Sequence, residues 1–321
     1  MSKFICFIIT LFLTSLFSYA ETWPTKAVKI IAPSTPGGPP DVYARALADS
    51  FTKALGQPFI VENMPAAGGM IAAQAISKIP SDGYELLVNT AGMMTITPSA
   101  NPNAKYLPAD FTQICQGVSA SLVLAVHPSL NVKNFAELVK WLKDQKLRPT
   151  YSSYSMGSPA HLLGFELSDL LGVDMIHVPY KSTPQQLSDM LSGVAPLGFV
   201  QISTATPSIK AGKIIPLATT SEVRSTDFPS VPTVSEIGYP QLLTTVWFGL
   251  SAPKNLPSSI TKRLTDLHQQ VTNSKEFESR MANSGLLATK DICGDAFTNK
   301  MQKELLQWTK VIKAAGFVAD N

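Results

Sequence analysis

The chain has 321 residues, 45% of them hydrophobic and 15% charged, with 26 basic side chains against 23 acidic ones. That length exceeds what a single core usually organises, and the composition excludes a disordered segment. The near-even charge balance supplies no field for nucleic acid or a membrane surface, so neither is expected as a partner.

The first twenty residues stand apart. Lys3 gives a small positive region, Phe4 to Phe17 is almost unbroken apolar sequence, and Ser18-Tyr19-Ala20 places small residues where a signal peptidase reads. The pattern predicts a secretory signal cleaved after Ala20, hence an exported protein. The apolar run is too short to span a bilayer comfortably, which disfavours a membrane anchor. Cys115 and Cys293 remain after cleavage. An oxidising compartment permits a bridge between them, and two separate free thiols are the alternative.

Past the signal, Val28 to Ala32 has the pattern of a short buried strand, followed by Pro33-Ser34-Thr35-Pro36-Gly37-Gly38-Pro39-Pro40-Asp41. Apolar residues then recur at helical spacing from Val42 to Leu55, where Gly56 stops them. Phe59 to Glu62 is a second strand, Gly68-Gly69 precedes a helix carrying Ala72, Ala75 and Ile76, and Leu86 to Val88 is a third strand. Alternating strands and helices predict parallel pairing through right-handed crossovers. Leu122 to Val126 is a further apolar strand, and Asn134 with Glu137 signals a helix start. Pro149 to Ser153 is extended, Ser158-Pro159 opens a helix that ends at Gly172, Ile176 to Pro179 is a strand, and Ser182-Thr183-Pro184 opens a helix reaching Gly193. Trp247 to Ala252 is a late strand, after which helices dominate. Ile260, Leu264, Leu267 and Val271 share one face; Phe297, Met301, Leu305, Trp308 and Ile312 share another. The expected organisation is a signal over residues 1–20, a first lobe over 21–123 and 246–321, and a second lobe over 124–245. Crossovers near Leu122 to Val126 and Trp247 to Ala252 would form the hinge.

Three strand-to-helix corners carry the candidate chemistry: Ser34 to Asp41, Tyr154 to Ser158, and Pro179 to Thr183. Each sets small, hydroxyl-bearing or glycine residues before a helix, whose first turn has unpaired amides and about half a positive charge. A carboxylate suits such corners without any arginine, since hydrogen bonds to a charged acceptor contribute about 1.5–3 kcal/mol each. Ordinary turn chemistry is the plainer reading of each corner alone. Asp41 either caps its own helix and pairs with Arg45, or meets a ligand ammonium. His161 reads as a packing histidine, and Trp247 as either core or ligand contact. The four histidines are scattered and no Cys-x-x-Cys exists, so neither a metal nor another cofactor is expected. No Gly-x-Ser-x-Gly elbow occurs. An exported hydrolase would have only Ser155, Ser158, His161 and Asp41 to work with.

Several runs together resemble the Bug proteins, the extracytoplasmic binding components of tripartite tricarboxylate transporters. They are Trp23-Pro24, Val28 to Ile31, Pro36 to Asp41 with Arg45, Gly56-Gln57-Pro58, Val61 to Asn63 with Ala67 to Gly69, and Ser81 to Tyr84. Gly157 to Leu162, Val178 to Lys181, Pro229 to Glu236 and Trp247 to Leu250 extend the resemblance over essentially the whole mature chain. The resemblance implies a two-lobed, periplasmic-binding-protein-like α/β (Venus flytrap) fold, no enzymatic activity, and a carboxylate held by backbone amides and ordered water. It also implies a periplasmic location and delivery to membrane permease subunits; the protein is expected to act as a monomer. The ligand-binding corners it implies match Ser34, Thr35, Pro36, Gly37 and Gly38, the turn Thr90-Ala91, and Ser155, Met156, Gly157 and Ser158. Asp41, Tyr154 and Tyr180 border them. The family usually carries Phe-Pro where this chain has Ser34-Thr35, a small residue at Pro40, and an aspartate near Pro196. The lost aromatic wall implies a wider or more polar pocket, for a di- or tricarboxylate, an aromatic acid or an acidic amino acid. A ligand-presenting sensor for a membrane signalling protein is the second reading.

Overall fold

The computed structural model describes residues 23–225 and 227–316, so the signal segment lies outside the described residues. In chain order the first lobe opens with β1 (Val28–Ala32), α1 (Pro39–Leu55), β2 (Phe59–Asn63), α2 (Met70–Ile76) and β3 (Glu85–Thr90). A π-helical turn over Gly92–Ile96 leads into α3 (Thr97–Ala100). β4 (Phe111–Val126) leads from the first lobe into the second, which is built from α4 (Phe135–Lys143), β5 (Thr150–Ser153), α5 (Pro159–Leu171), β6 (Ile176–Pro179), α6 (Thr183–Leu191), β7 (Leu197–Gln201), α7 (Ile202–Lys210) and β8 (Ile215–Thr219). The chain returns through β9 (Thr245–Pro253) and ends in α8 (Ser258–Thr272), α9 (Lys275–Ala282), β10 (Leu287–Ala288) and α10 (Gly294–Ala315).

The strands run in the order β2-β1-β3-β9-β4-β7-β5-β6, with β8 and β10 also on β4. β1 pairs in parallel with β2 and β3, and β5 with β6 and β7, as the alternating pattern predicts. β9 departs from it by lying antiparallel to β3, and β4 departs furthest. Its first part, Phe111 to Ser121, lies antiparallel to β9; its last part, Leu122 to Val126, lies antiparallel to β7 and β8. One strand therefore carries the chain from one sheet into the other. Its first half lacks an apolar run because Thr112, Gln113, Gln116 and Ser119 interrupt it. Gln113 and Gln116 are nevertheless buried, with Gln113 accepting from Asn89 at 2.9 Å and Gln116 donating to Thr289 at 3.0 Å. Gly117 in the same stretch lets Tyr43 lie against the strand: a Cβ there would stand 2.2 Å from the Tyr43 hydroxyl.

Thr220 ties the two crossovers together. Its hydroxyl accepts from the Leu122 amide at 3.0 Å and donates to the Thr244 carbonyl at 2.7 Å. Its backbone pairs with Leu122 and Thr244 as well. The alternative left open for the cysteines resolves as a Cys115–Cys293 disulfide, which links β4 to the start of α10. The expected apolar face of α10 packs where the lobes meet: Trp308 and Ile312 share a buried cluster with Ile96 and Ala100 of the first lobe and Leu162 of the second. Trp247 is fully buried, stands edge-on to Phe297 and donates to Glu304 at 2.7 Å, so it is a core residue.

Candidate functional site

The carboxyl ends of β1, β2 and β3 face those of β5 and β7, the place where open α/β sheets present their loops to a ligand. The approach is close. A methyl group placed on Gly68 would lie 3.7 Å from the Ser155 hydroxyl, and one on Gly92 would lie 3.6 Å from Pro159 and 3.7 Å from the Gly157 carbonyl. The corner at 154–158 in the second lobe thus meets the turn at Thr90-Ala91-Gly92 and the loop at Gly68 in the first.

Ser34 to Asp41 is shaped by its own side chains. Gly38 is the extended residue before α1, and Pro39 and Pro40 fill the first helical positions. Proline has no N–H, so this helix start offers fewer amides than the residue pattern suggests. The Gly37 amide donates to Asp41 at 2.8 Å, and the Gly38 amide to the Thr35 carbonyl at 3.1 Å. Asp41 is 2% exposed and also accepts from Arg45 at 2.9 Å and Asn63 at 2.8 Å. Burial alone would raise its pKa; the bonds from Arg45, Gly37 and Asn63 outweigh that and hold it below the ordinary value. Asn63 continues the clamp by donating to the Ser34 carbonyl at 2.9 Å. Of the two roles open to Asp41, the geometry selects the ion pair with Arg45; the expected cap is not made, since the one backbone amide Asp41 accepts is that of Gly37, ahead of the helix. Thr35, Pro36 and Gly37 are exposed at the corner's outer edge, while the Ser34 hydroxyl is buried without a partner among the described residues.

The turn after β3 is simpler. Thr90 Oγ1 accepts from the Met93 amide at 3.2 Å, Ala91 is buried, and Thr95 donates to the Ala91 carbonyl at 2.8 Å. This fixes the start of the π-helical turn beside Pro159.

The second-lobe corner is a mesh of hydroxyls. Ser158 caps α5 by accepting from the His161 amide at 3.3 Å and donates its own proton to the Ser155 carbonyl at 2.6 Å. Ser153 donates to the same carbonyl at 2.9 Å, and the Ser155 hydroxyl to the Met156 carbonyl at 3.1 Å. Gly157 has φ +67°, a left-handed conformation that glycine adopts without strain, and its amide donates to His161 Nδ1 at 3.1 Å. Met156 is exposed on the outside of the loop. The Tyr154 hydroxyl is buried within reach of Ser158, Gln201 and the Ala160 amide, without full hydrogen-bond geometry to any of them. Burial raises its pKa first, so it remains a protonated donor.

Tyr180 is only half-buried and gives its hydroxyl to Asp189 on α6 at 2.8 Å; burial, then Asp189, pushes its pKa up to about 12. Its amide donates to the Ser153 carbonyl at 2.9 Å. The sequence reading missed Gln201, buried at the end of β7, which accepts from Thr183 at 3.3 Å. The available signal was a polar residue closing the apolar run Leu197 to Val200. It also missed His177, which faces His161 across the two elements behind the corner.

Two α/β lobes joined where β4 passes from one sheet into the other, with loops meeting at the strands' carboxyl ends, define a periplasmic-binding-protein fold. The profile of the tripartite tricarboxylate transporter family receptors matches residues 43–317, and the chain belongs to that family. Solved relatives agree. The Rpa4515 protein of R. palustris, solved with adipate, is 29% identical with a TM-score of 0.85, over 92% of this chain and 99% of that one. The periplasmic binding protein BugD is 30% identical with a TM-score of 0.83, over 93% and 100%. MatC from Rhodopseudomonas palustris, solved with malate, is 26% identical with a TM-score of 0.82, over 90% and 100%. The chain is therefore a solute-binding protein of this family and not a hydrolase.

Proposed function

We propose that the protein captures a small dicarboxylate in the periplasm and delivers it to the permease subunits of a tripartite tricarboxylate transporter. The ligand sits between the 154–158 corner, the Thr90-Ala91 turn and the Ser34–Gly38 corner, and the protein acts as a monomer. The observation that carries the reading is the cross-lobe approach of Gly68 to Ser155 and of Gly92 to Gly157 and Pro159, with donors but no cation among these residues. Relatives that hold adipate and malate support the ligand class. Because Asp41 is already surrounded by Arg45, Asn63 and Gly37, it offers no place to an ammonium. That favours plain dicarboxylates over acidic amino acids. We place the lobe boundaries at 123/124 and 245/246, with signal cleavage after Ala20.

A thermal-shift screen of adipate, malate, citrate, benzoate and glutamate tests this, since a ligand that binds only the folded state raises its stability by RT ln(1 + [L]/Kd). Adipate or malate should raise Tm with saturation, and glutamate should do less. If no carboxylate shifts Tm, the reading fails.

A further inference from the structure

Behind the 153–158 corner, His161 of α5 and His177 of β6 lie face to face, with ring centroids 3.7 Å apart and planes 14° from parallel. Tyr151 of β5, the register partner of His177, stands beside it with ring centroids 5.0 Å apart and planes 32° from parallel. Gly164 makes room for it on α5, since a Cβ there would stand 2.0 Å from the Tyr151 ring. Tyr151 also donates to the His161 carbonyl at 3.0 Å. The stack therefore joins three elements at the back of one loop.

Each histidine grips a different end of that loop. His161 Nδ1 accepts from the Gly157 amide at 3.1 Å. An amide only donates, so this nitrogen must carry a bare lone pair. His177 Nε2 lies 2.7 Å from the Ser153 hydroxyl, whose single proton is directed at the Ser155 carbonyl. Ser153 thus accepts there, and His177 carries its proton on Nε2. The His161 assignment requires a neutral ring, and the His177 assignment is met by the neutral tautomer that carries its proton on Nε2. Adding a proton to His161 Nδ1 would set two donors against each other and bring a charge against the His177 face.

The surroundings keep the rings neutral. Burial lowers His161 to about 4; burial and then His161 lower His177 to about 3. The titratable ring packed against the pair is Tyr151, raised by burial and hence uncharged. No carboxylate or cation among the described residues enters the causes of either histidine's shift.

We propose that His161 and His177 are positioning residues for the carboxylate site. As one uncharged stack they set the backbone of the 153–158 corner, His161 through Gly157 and His177 through Ser153. Ligand affinity then depends on an acceptor at the His161 Nδ1 position and is insensitive to pH across the range where an ordinary histidine titrates. This rests on the proposed binding of a carboxylate at that corner.

Asparagine and glutamine separate positioning from mere packing. The Asn Oδ1 falls near the Nδ1 position; the Gln Oε1 falls near Nε2. His161→Asn should bind adipate or malate within threefold of the parent protein, while His161→Gln and His161→Leu should lose tenfold or more by calorimetry at pH 7. Parent and His161→Asn affinities should stay level from pH 8 to 5.5. Equal affinity for Asn and Gln variants, or a fall in parent affinity centred near pH 6.5, would overturn the proposal. Amide exchange of Gly157, read by NMR without ligand, keeps the test independent of ligand choice. Protection should survive in His161→Asn and be lost in His161→Gln. If neither acid binds the parent but this contrast holds, the ligand assignment fails and the positioning role stands; if Gly157 exchanges alike in all forms, the positioning role fails.

Discussion

The two strand-to-helix corners proposed to hold the ligand solve one problem with opposite chemistry. In the first lobe, Asp41 holds the Ser34–Gly38 corner through a charged clamp to Arg45, Asn63 and the Gly37 amide. In the second lobe, the 153–158 corner is held by serine hydroxyls and two uncharged histidines. The first clamp draws strength from charge and the second from its absence. A corner built on Asp41 stays intact until the pH falls through that residue's lowered pKa, whereas one built on neutral histidines is under stress as soon as the unfolded chain can take up protons near 6.5.

Acid stability should show the largest contrast. His161 and His268 are buried and His177 half-buried, with pKa values depressed to about 4, 3 and 3 for His161, His177 and His268. Their folded values lie below the unfolded one, so the stability they contribute is complete above pH 6.5 and is lost as pH falls toward 4. Each removes up to about 1.4 kcal/mol per pH unit in that window. Urea titrations at pH 7, 6 and 5 should show unfolding free energy dropping steeply, with more than one proton taken up. A flat profile down to pH 5 would mean that these rings are not held neutral.

Breaking the charged clamp comes next. Asp41→Ala strands the Gly37 and Asn63 donors and leaves Arg45 without its partner, at a cost of about 2–4 kcal/mol, moderated by the half-exposure of Arg45. Chemical denaturation should show that loss with little change in its pH dependence above 4, in contrast to histidine variants. Gly92→Val tests lobe approach instead. Its backbone is not left-handed, so strain is small, yet the branched side chain would meet Pro159 and the Gly157 carbonyl. Affinity for adipate or malate should fall tenfold or more, about 1.4 kcal/mol, with the melting temperature of the ligand-free protein nearly unchanged. The smallest effect belongs to Tyr180→Phe. Its hydroxyl is committed to Asp189, so affinity should change less than threefold; a larger loss would put that phenol in the site.

Much of the fold was legible because period and punctuation agreed. Ser158, Ser182 and Asn134 each cap the helix they announce, and Gly56 and Gly172 end theirs in left-handed conformations. The first half of β4 was not legible, since its buried glutamines and Gly117 break the apolar signal while satisfying it in three dimensions. At the corners, location was readable but allegiance was not. The Gly37 amide goes to Asp41 because α1 turns that side chain back over its own entry, and the Pro39-Pro40 pair removes two donors that a helix start would otherwise expose. His161 read correctly as a packed, hydrogen-bonded ring. Its partner His177 sits on a different element, and no local spacing announces a contact made only when α5 folds over β6. Thr220, which ties both crossovers, is hidden for the same reason.

The most direct test is a crystal structure of the protein with the dicarboxylate that binds it most tightly. One carboxylate should rest between the 154–158 corner and the Thr90-Ala91 turn, with no arginine or lysine in contact. Density for the acid elsewhere, such as the groove beside Phe135 and Pro232 on the second lobe, would contradict the account.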